Sequence, residues 1–429
     1  MRDVVIVSGC RTAIGAFGGA LKDVPLVELG ALVIKDVLKK VNLRPILSDE
    51  MKETCPKKLK ERGIIELEKM YMDWDDSAIP VPVDEVIMGN VLQAGHGQNP
   101  ARQASIKAGL PKEVPAVTIN KVCASGLKAI TLGAMSIMSG MADVVVAGGF
   151  ENMSQAPFAL MGARWGYKMA IDGKEKLLDL MVWDGLYEIF YGCHMGVTAE
   201  NIASLYNISR EEQDELALFS HMKALRAIKE GFFKEEIVPV VIKEKGGERV
   251  FDTDERPRET SLEKLAKLPS VFKKDGTVTA GNASGINDGA AAVLLMSLDK
   301  AKELGIEPIL KIKGFTSTAG DPAFMGLGPV SAIRKLLKKE KMELSDIDLI
   351  ELNEAFAAQT IACLRELGID KERINELGSG ISLGHPIGCT GARIVVTGMY
   401  QMKRKGYNTG LFSLCIGGGM GMAMLAERC

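Results

Sequence analysis

Cys123, in the stretch INKVCASGLKAI, stands where an apolar strand gives way to a helix, with Ala124, Ser125 and Gly126 behind it. A thiol at a helix start gains from unpaired N–H groups and the positive end of the dipole, so a lowered pKa and a nucleophilic role are expected of it. A cysteine that merely fills buried space is the other reading. His385 is the candidate base. The run GSGISLGHPIGCTGAR sets it among glycines at 378, 380, 384, 388 and 391, with Pro386 fixing the turn. Such a backbone permits close approach, although a loop histidine held by a carbonyl would look the same. In CIGGGMGMAM, Cys415 ends an apolar strand and meets three glycines, whose N–H groups can converge on an oxyanion. Asn353, in NEAF, offers an amide for a water or a carbonyl, or simply satisfies a strand end.

The elements that must position these groups alternate along the chain. DVVIVSG, DEVIMGNV, PAVTIN and ADVVVAGG read as strands in the first part; ILKIKGF, IDLIELN, INELGSG, GLFSLCIGGG and GMAMLAE do so in the last. Leu127, Ile130, Ala134, Ile137 and Met138 fall at helical spacing, and PVSAIRKLLKKEK and FAAQTIACLRELG behave alike. The pattern is that of mixed sheets covered by helices. The two ends also read as versions of each other. Asn90 closes a strand 33 residues before Cys123, and Asn353 closes one 32 residues before His385. A duplication would put Cys123 and His385 at equivalent helix starts related by a pseudo-twofold axis.

Two regions interrupt the repeat. Residues 154–286 read as an inserted lobe. Residues 44–82, with seven basic and nine acidic side chains, read as a solvated helical excursion. The organisation expected is therefore an N-terminal half over 1–153, completed by 287–307, a lobe over 154–286 and a C-terminal half over 308–429.

Lys+Arg 53 against Asp+Glu 55 gives a net charge of −2, so no global charge field points to nucleic acid or an anionic membrane. No apolar run approaches the roughly 20 residues of a membrane span, and MRDVVIVSGCRTAIG opens as strand and turn, without a signal or transit segment. A cytoplasmic location follows as an expectation. The eight cysteines show no C-x2-4-C spacing, so no metal is expected. A dinucleotide reading of the last glycines fails for want of a following helix and acidic residue.

Taken together, NKVCASGLKA, NEAFA, GHPIGCTGAR and CIGGGMG resemble the four active-site motifs of the thiolases, in that family's order, and GNVLQAGHGQNPARQA and TAGNASGINDGAAA are also family-like. The resemblance covers almost the whole chain except 44–82. It implies two similar βαβαβαββ halves stacked as a five-layer αβαβα body, with an inserted CoA-binding loop domain. It implies Cys123 as the nucleophile that becomes acyl-cysteine, His385 as its base and part of an oxyanion hole, and Cys415 as the second acid/base. Asn353 would hold the oxyanion-hole water, and the Gly417 N–H would serve the other hole. Leu186, His194, Met195, Arg258, Phe272, Ser284, Met325, Ala355 and Phe356 fall where the family contacts CoA or substrate, Arg258 near the adenine and Ser284 near the pantetheine. The implied reaction is a reversible ping-pong condensation of two acetyl-CoA to acetoacetyl-CoA and CoA, with the thioesters as substrates and no resident cofactor. CHMG and Met325 resemble the acetoacetyl-CoA type; a broad-range degradative 3-ketoacyl-CoA thiolase is the alternative, and a non-catalytic acyl-CoA-binding relative a remote one. Self-association as a homodimer or homotetramer is implied, with the segment after Ser154 resembling a tetramerisation loop.

Overall fold

The computed structural model describes residues 2–167, 169 and 177–429. The first half runs β1 (Val4–Arg11), α1 (Leu26–Lys39), β2 (Glu85–Gly89), α2 (Pro100–Lys107), β3 (Ala116–Ile119), α3 (Ser125–Met138) and β4 (Val144–Asn152). A long excursion carrying α4 (Met195–Leu205) and α5 (Arg210–Lys229) follows, and β5 (Asn287–Ser297) returns to the sheet. The second half runs β6 (Leu310–Ala319), α6 (Gly328–Glu340), β7 (Leu349–Leu352), α7 (Ala357–Leu367), α8 (Ile387–Lys405), β8 (Thr409–Ile416) and β9 (Met420–Arg428).

Strand order is β3-β2-β4-β5-β1 in the first half and β7-β8-β9-β6 in the second. In both, the early strands pair in parallel and the later ones antiparallel. The halves join edge to edge where Val5 and Ile6 pair with Lys311 and Leu310. Helices α3 and α8 lie between the sheets against each other. Their apolar faces, with Leu127, Ile130, Val395 and Met399, share one core with Ile6, Val293, Phe412 and Met424. Helices α1 and α2 cover the outer face of the first half, and α6 and α7 that of the second. This is the expected five-layer body. The central crossing is tight: a Cβ on Gly126 would lie 2.7 Å from the backbone N of Ala392, so only glycine fits.

Two elements depart from the sequence reading. INELGSG is not a strand; only Ile374 bridges Ile350 before the chain turns away at Asn375, whose φ is 50°. Conversely, NDGAAAVLLMS forms β5, buried along its whole length between β4 and β1. Strands buried on both faces carry no polar alternation, which hides them. The 44–82 excursion folds as short helices over 49–54, 57–60 and 66–69 between two parallel strand segments, Leu43–Ile46 and Ile79–Pro82. Among the described residues no helix is long and apolar enough to cross a membrane.

Candidate active site

Cys123 lies two residues before α3 and His385 two residues before α8, and the two central helices cross at their first turns, where Gly126 meets Gly388 and Ala392, so their starts come to one place. The turn into Cys123 is strained. Val122, a β-branched residue, has φ 48°, a region such residues rarely occupy. Three hydrogen bonds hold it: Val122 N donates to Asn120 Oδ1 (2.8 Å), Lys121 N to Ser125 Oγ (2.8 Å), and Ser125 Oγ to Val122 O (2.7 Å).

Cys123, His385 and Gly417 line one cavity of about 500 Å³, a volume typical of small-molecule sites. Leu186, His194, Met195 and Phe272 form part of its wall, and Ser284, Met325, Ala355 and Phe356 another part. The His194 ring stacks on Phe272 at 4.6 Å, and Phe356 meets Phe272 edge-on at 6.3 Å. His194 Nδ1 also accepts from Gly196 N at 3.0 Å and so caps α4. Thr198, within the first turn of α4, donates to Met195 O at 2.6 Å. Arg258 is exposed and does not line the cavity, whereas Arg256 does, anchored through Ile381 O (2.7 Å) and Ala283 O (2.8 Å). Cys415 is fully buried in the apolar cluster behind the wall, with Met195, Met325, Ala355 and Phe356.

His385 is held from three sides. Its backbone N donates to Asn287 Oδ1 at 3.0 Å, and its Nδ1 lies 2.6 Å from Thr390 Oγ1. Thr390 Oγ1 gives its own proton to Pro386 O at 2.9 Å, so Oγ1 accepts from Nδ1–H and Nε2 is left with its lone pair. Asn353 Nδ2 is 3.5 Å from that Nε2. Asn353 is fully buried, and its Oδ1 has no hydrogen-bond partner among the described residues. Burial pushes the imidazole down to about 3, and Arg393 adds to the effect. The ring is neutral at physiological pH.

The expected low thiol pKa is not what the surroundings produce. The N–H groups of Gly417 and of Cys123 itself do favour the thiolate, but desolvation outweighs them and pushes Cys123 up to about 11. Cys415 is raised well above its usual value, first by burial and then by Cys123. Neither thiol is ionised at rest, contrary to the lowered pKa expected of Cys123. A helix terminus offers a fraction of a charge, whereas removal from water disfavours the whole one.

Sequence reasoning missed Glu151. Fully buried at the end of β4, it accepts from Val91 N (3.0 Å), Leu92 N (3.1 Å), Asn90 Nδ2 (2.6 Å) and Gly388 N (2.8 Å). It thus ties the loop after β2 to the start of α8. Burial raises it to about 7. Phe17, Arg256 and Asn287 were also missed as cavity residues; Asn287 lies within the family-like stretch TAGNASGINDGAAA without having been singled out, and the other two stand in no quoted motif.

Comparison with known proteins agrees with this geometry. The model of the thiolase N-terminal domain matches residues 4–55 and 75–299, and that of the thiolase C-terminal domain matches 306–428. The chain belongs to the thiolase family. An acetyl-CoA acetyltransferase of Syntrophomonas wolfei is 52% identical over 428 residues, covering 99% of both chains. A probable acetyl-CoA acyltransferase of Staphylococcus aureus is 51% identical over 430 residues, covering 100% of both. Among solved structures, the Bacillus anthracis acetyl-CoA acetyltransferase superposes with TM-score 0.88 at 45% identity, covering 100% of this chain and 99% of that one. The Syntrophomonas wolfei acetyl-CoA acetyltransferase structure gives TM-score 0.89 at 40% identity, covering 100% of both. The thiolase domain matches skip 56–74, yet the 428-residue alignment runs through it. That part of the excursion is therefore shared with full-length thiolase relatives.

Proposed function

We propose that this thiolase is an acetyl-CoA acetyltransferase in which Cys123 carries the acetyl group. The observation that carries the reading is the shared cavity of Cys123, His385 and the Gly417 N–H, with Cys415 directly behind it.

The protonation states at rest set the order of events. As the Cys123 sulfur attacks the thioester carbonyl, its proton passes to His385 Nε2, and the N–H groups of Cys123 and Gly417 hold the oxyanion. The CoA thiolate leaves with the proton of Cys415. Acetyl-Cys123 now faces a Cys415 thiolate and an imidazolium, a charge pair that offsets the unfavourable ionisation of a buried thiol. The Cys415 thiolate takes a methyl proton from a second acetyl-CoA. Its enolate oxygen is met by His385 Nε2–H and by a water on the Asn353 amide. The carbon attacks the acetyl group, acetoacetyl-CoA departs, and Cys123 recovers its proton from Nε2. All three groups are back where they began.

The walls suit the substrate. The apolar strip from Leu186 to Met325 can take pantetheine, and Arg258, exposed outside the cavity, is available to the adenosine phosphate end. Self-association as a dimer or tetramer, and action in the cytoplasm, belong to the same reading. Exposed Phe158, Leu160 and Trp165 support association; residues 168 and 170–176 of that segment lie outside those described. The deciding test is mass analysis of the Cys123 peptide after exposure to acetyl-CoA. The peptide gains one acetyl group, Cys123→Ala abolishes turnover while CoA binding survives, and normal turnover of that variant would refute the mechanism. Thiolysis of acetoacetyl-CoA beside a C8 ketoacyl-CoA separates the short-chain reading from the broad-range one.

A further inference from the structure

The two halves differ at one place that bears on the site. In the first half, β3 pairs with β2 along its length, and the strand end at Asn90 is held by backbone hydrogen bonding to Ile119. In the second half the matching strand is missing beyond the single bridge of Ile374 with Ile350. The end of β7, which leads into Asn353, would be left with an unpaired edge.

The side chain of Asn375 takes the place of that strand. Its Oδ1 accepts from Leu352 N at 2.8 Å, and its Nδ2 donates to Leu352 O at 2.8 Å. A primary amide has the donor and acceptor of a peptide group, so it completes the ladder by one residue. The same Nδ2 lies 2.8 Å from Glu354 Oε1. Asn375 therefore grips the residues on both sides of Asn353. The residue is fully buried and held at φ 50°, in the left-handed region that asparagine tolerates better than most.

Glu354 continues the network. Its Oε2 accepts from Ser220 Oγ of α5 at 2.5 Å, and Ser220 Oγ is 2.8 Å from Ser382 Oγ, three residues before His385. Gly380 presses on the other side: a Cβ there would lie 2.8 Å from Asn353 Oδ1 and 2.5 Å from Glu354 O. The Asn353 turn and the segment leading to His385 are thus locked to one another and to the inserted lobe.

We propose that Asn375, acting through Leu352 and Glu354, is a positioning residue that holds the Asn353 amide opposite His385 Nε2 for the step in which acetyl-CoA loses a methyl proton. Acetylation of Cys123 does not use Asn353, so the two half-reactions separate. This rests on the function proposed above, and the two fail differently: absence of acetyl-Cys123 in the unmodified protein refutes that function, whereas the present idea is read from the ratio of two rates in variants.

The experiment measures acetyl-Cys123 formation by peptide mass and deuterium uptake into the acetyl-CoA methyl group in D2O, with thermal melting alongside. In Asn375→Ala, deuterium uptake falls about 10²-fold, the loss expected when a reacting geometry slips by about an ångström, while acetylation stays within a few-fold. Asn375→Asp keeps the acceptor for Leu352 N but sets a carboxylate against Glu354, and uptake falls further. Adding Glu354→Gln gives that carboxylate an amide donor and restores part of the loss. This pair carries the test if Asn375→Ala does not fold. Equal loss of both rates in a folded variant, unchanged uptake, or no recovery in the double variant overturns the proposal.

Discussion

Thr390 Oγ1 sits 2.6 Å from His385 Nδ1 while giving its own proton to Pro386 O, so one hydroxyl selects the imidazole tautomer whose Nε2 faces the reaction. Both residues belong to the first turn of α8 and its approach, and the helix geometry that ties Thr390 to Pro386 also fixes the ring. Replacing Thr390 by Val keeps the shape and removes the hydroxyl. The Nδ1–H tautomer then loses its acceptor, and the rate of acetyl-Cys123 formation falls about tenfold to a hundredfold. Thr390→Ser retains the rate. An undiminished rate in Thr390→Val would show that the tautomer is set elsewhere.

The resting site is neutral, with Cys123 at about 11 and His385 at about 3, which makes its alkylation diagnostic. A thiolate–imidazolium pair reacts with iodoacetamide at a rate that plateaus through neutrality. A buried neutral thiol reacts in proportion to the small thiolate fraction, rising about tenfold per pH unit. Labelling of Cys123 between about pH 6 and pH 9 follows the second pattern, without a plateau. The physical cause is the apolar wall around the sulfur, so opening that wall with Met195→Ala lifts labelling across the range.

These ionisation states mark where sequence stops being informative. Cys123 and His385 are legible because small residues and glycines crowd positions where strands meet helices, and because Asn90 and Asn353 repeat at matching distances before them. Their pKa values are not, because the desolvation comes from residues scattered along the chain: Cys123 packs against the central core and against the cluster of Val91, Leu92, Met153, Met181 and Ile387. INELGSG misleads for a related reason: Ile374 alone has a strand's partner, and the left-handed turn at Asn375 ends the pattern. In β5 the run GAAAVLLM reads equally as a buried helix or strand, and only pairing with β1 and β4 decides. Arg256, in no quoted motif, reaches the cavity through tertiary folding alone.

His221, on α5, is almost completely buried with both ring nitrogens unpartnered among the described residues. Burial, with Arg256 and Arg258 nearby, lowers it from 6.5 to about 4. A depressed histidine pKa means that the unfolded chain binds the proton first. The neutral ring's contribution is therefore complete above pH 6.5 and declines as pH falls toward about 4. Between about pH 7.5 and pH 5 this amounts to about 2 kcal/mol, at about 1.4 kcal/mol per unit. His221→Leu removes the titration. Urea unfolding at the two pH values shows the variant gaining about 2 kcal/mol at pH 5 relative to the unmodified protein. Parallel behaviour of the two proteins would mean that His221 titrates normally.

Cys415 separates the two half-reactions most sharply. It is fully buried at the end of β8, and burial above all raises it well above a free thiol. Such a group is a poor base until an imidazolium forms beside it, which happens only when Cys123 has been acetylated. In Cys415→Ala the acetyl group still reaches Cys123, because His385 Nε2–H can return its proton to the departing CoA thiolate. No base then faces the methyl group of the second acetyl-CoA. Acetyl-Cys123 accumulates, and condensation falls by about 10²–10⁴, the usual value of a positioned proton acceptor. Peptide mass at steady state and acetoacetyl-CoA absorbance read the two outcomes together. Condensation at the unmodified rate would require a different base, and among the described residues no other titratable side chain lines the cavity beyond Cys123, His194, Arg256 and His385.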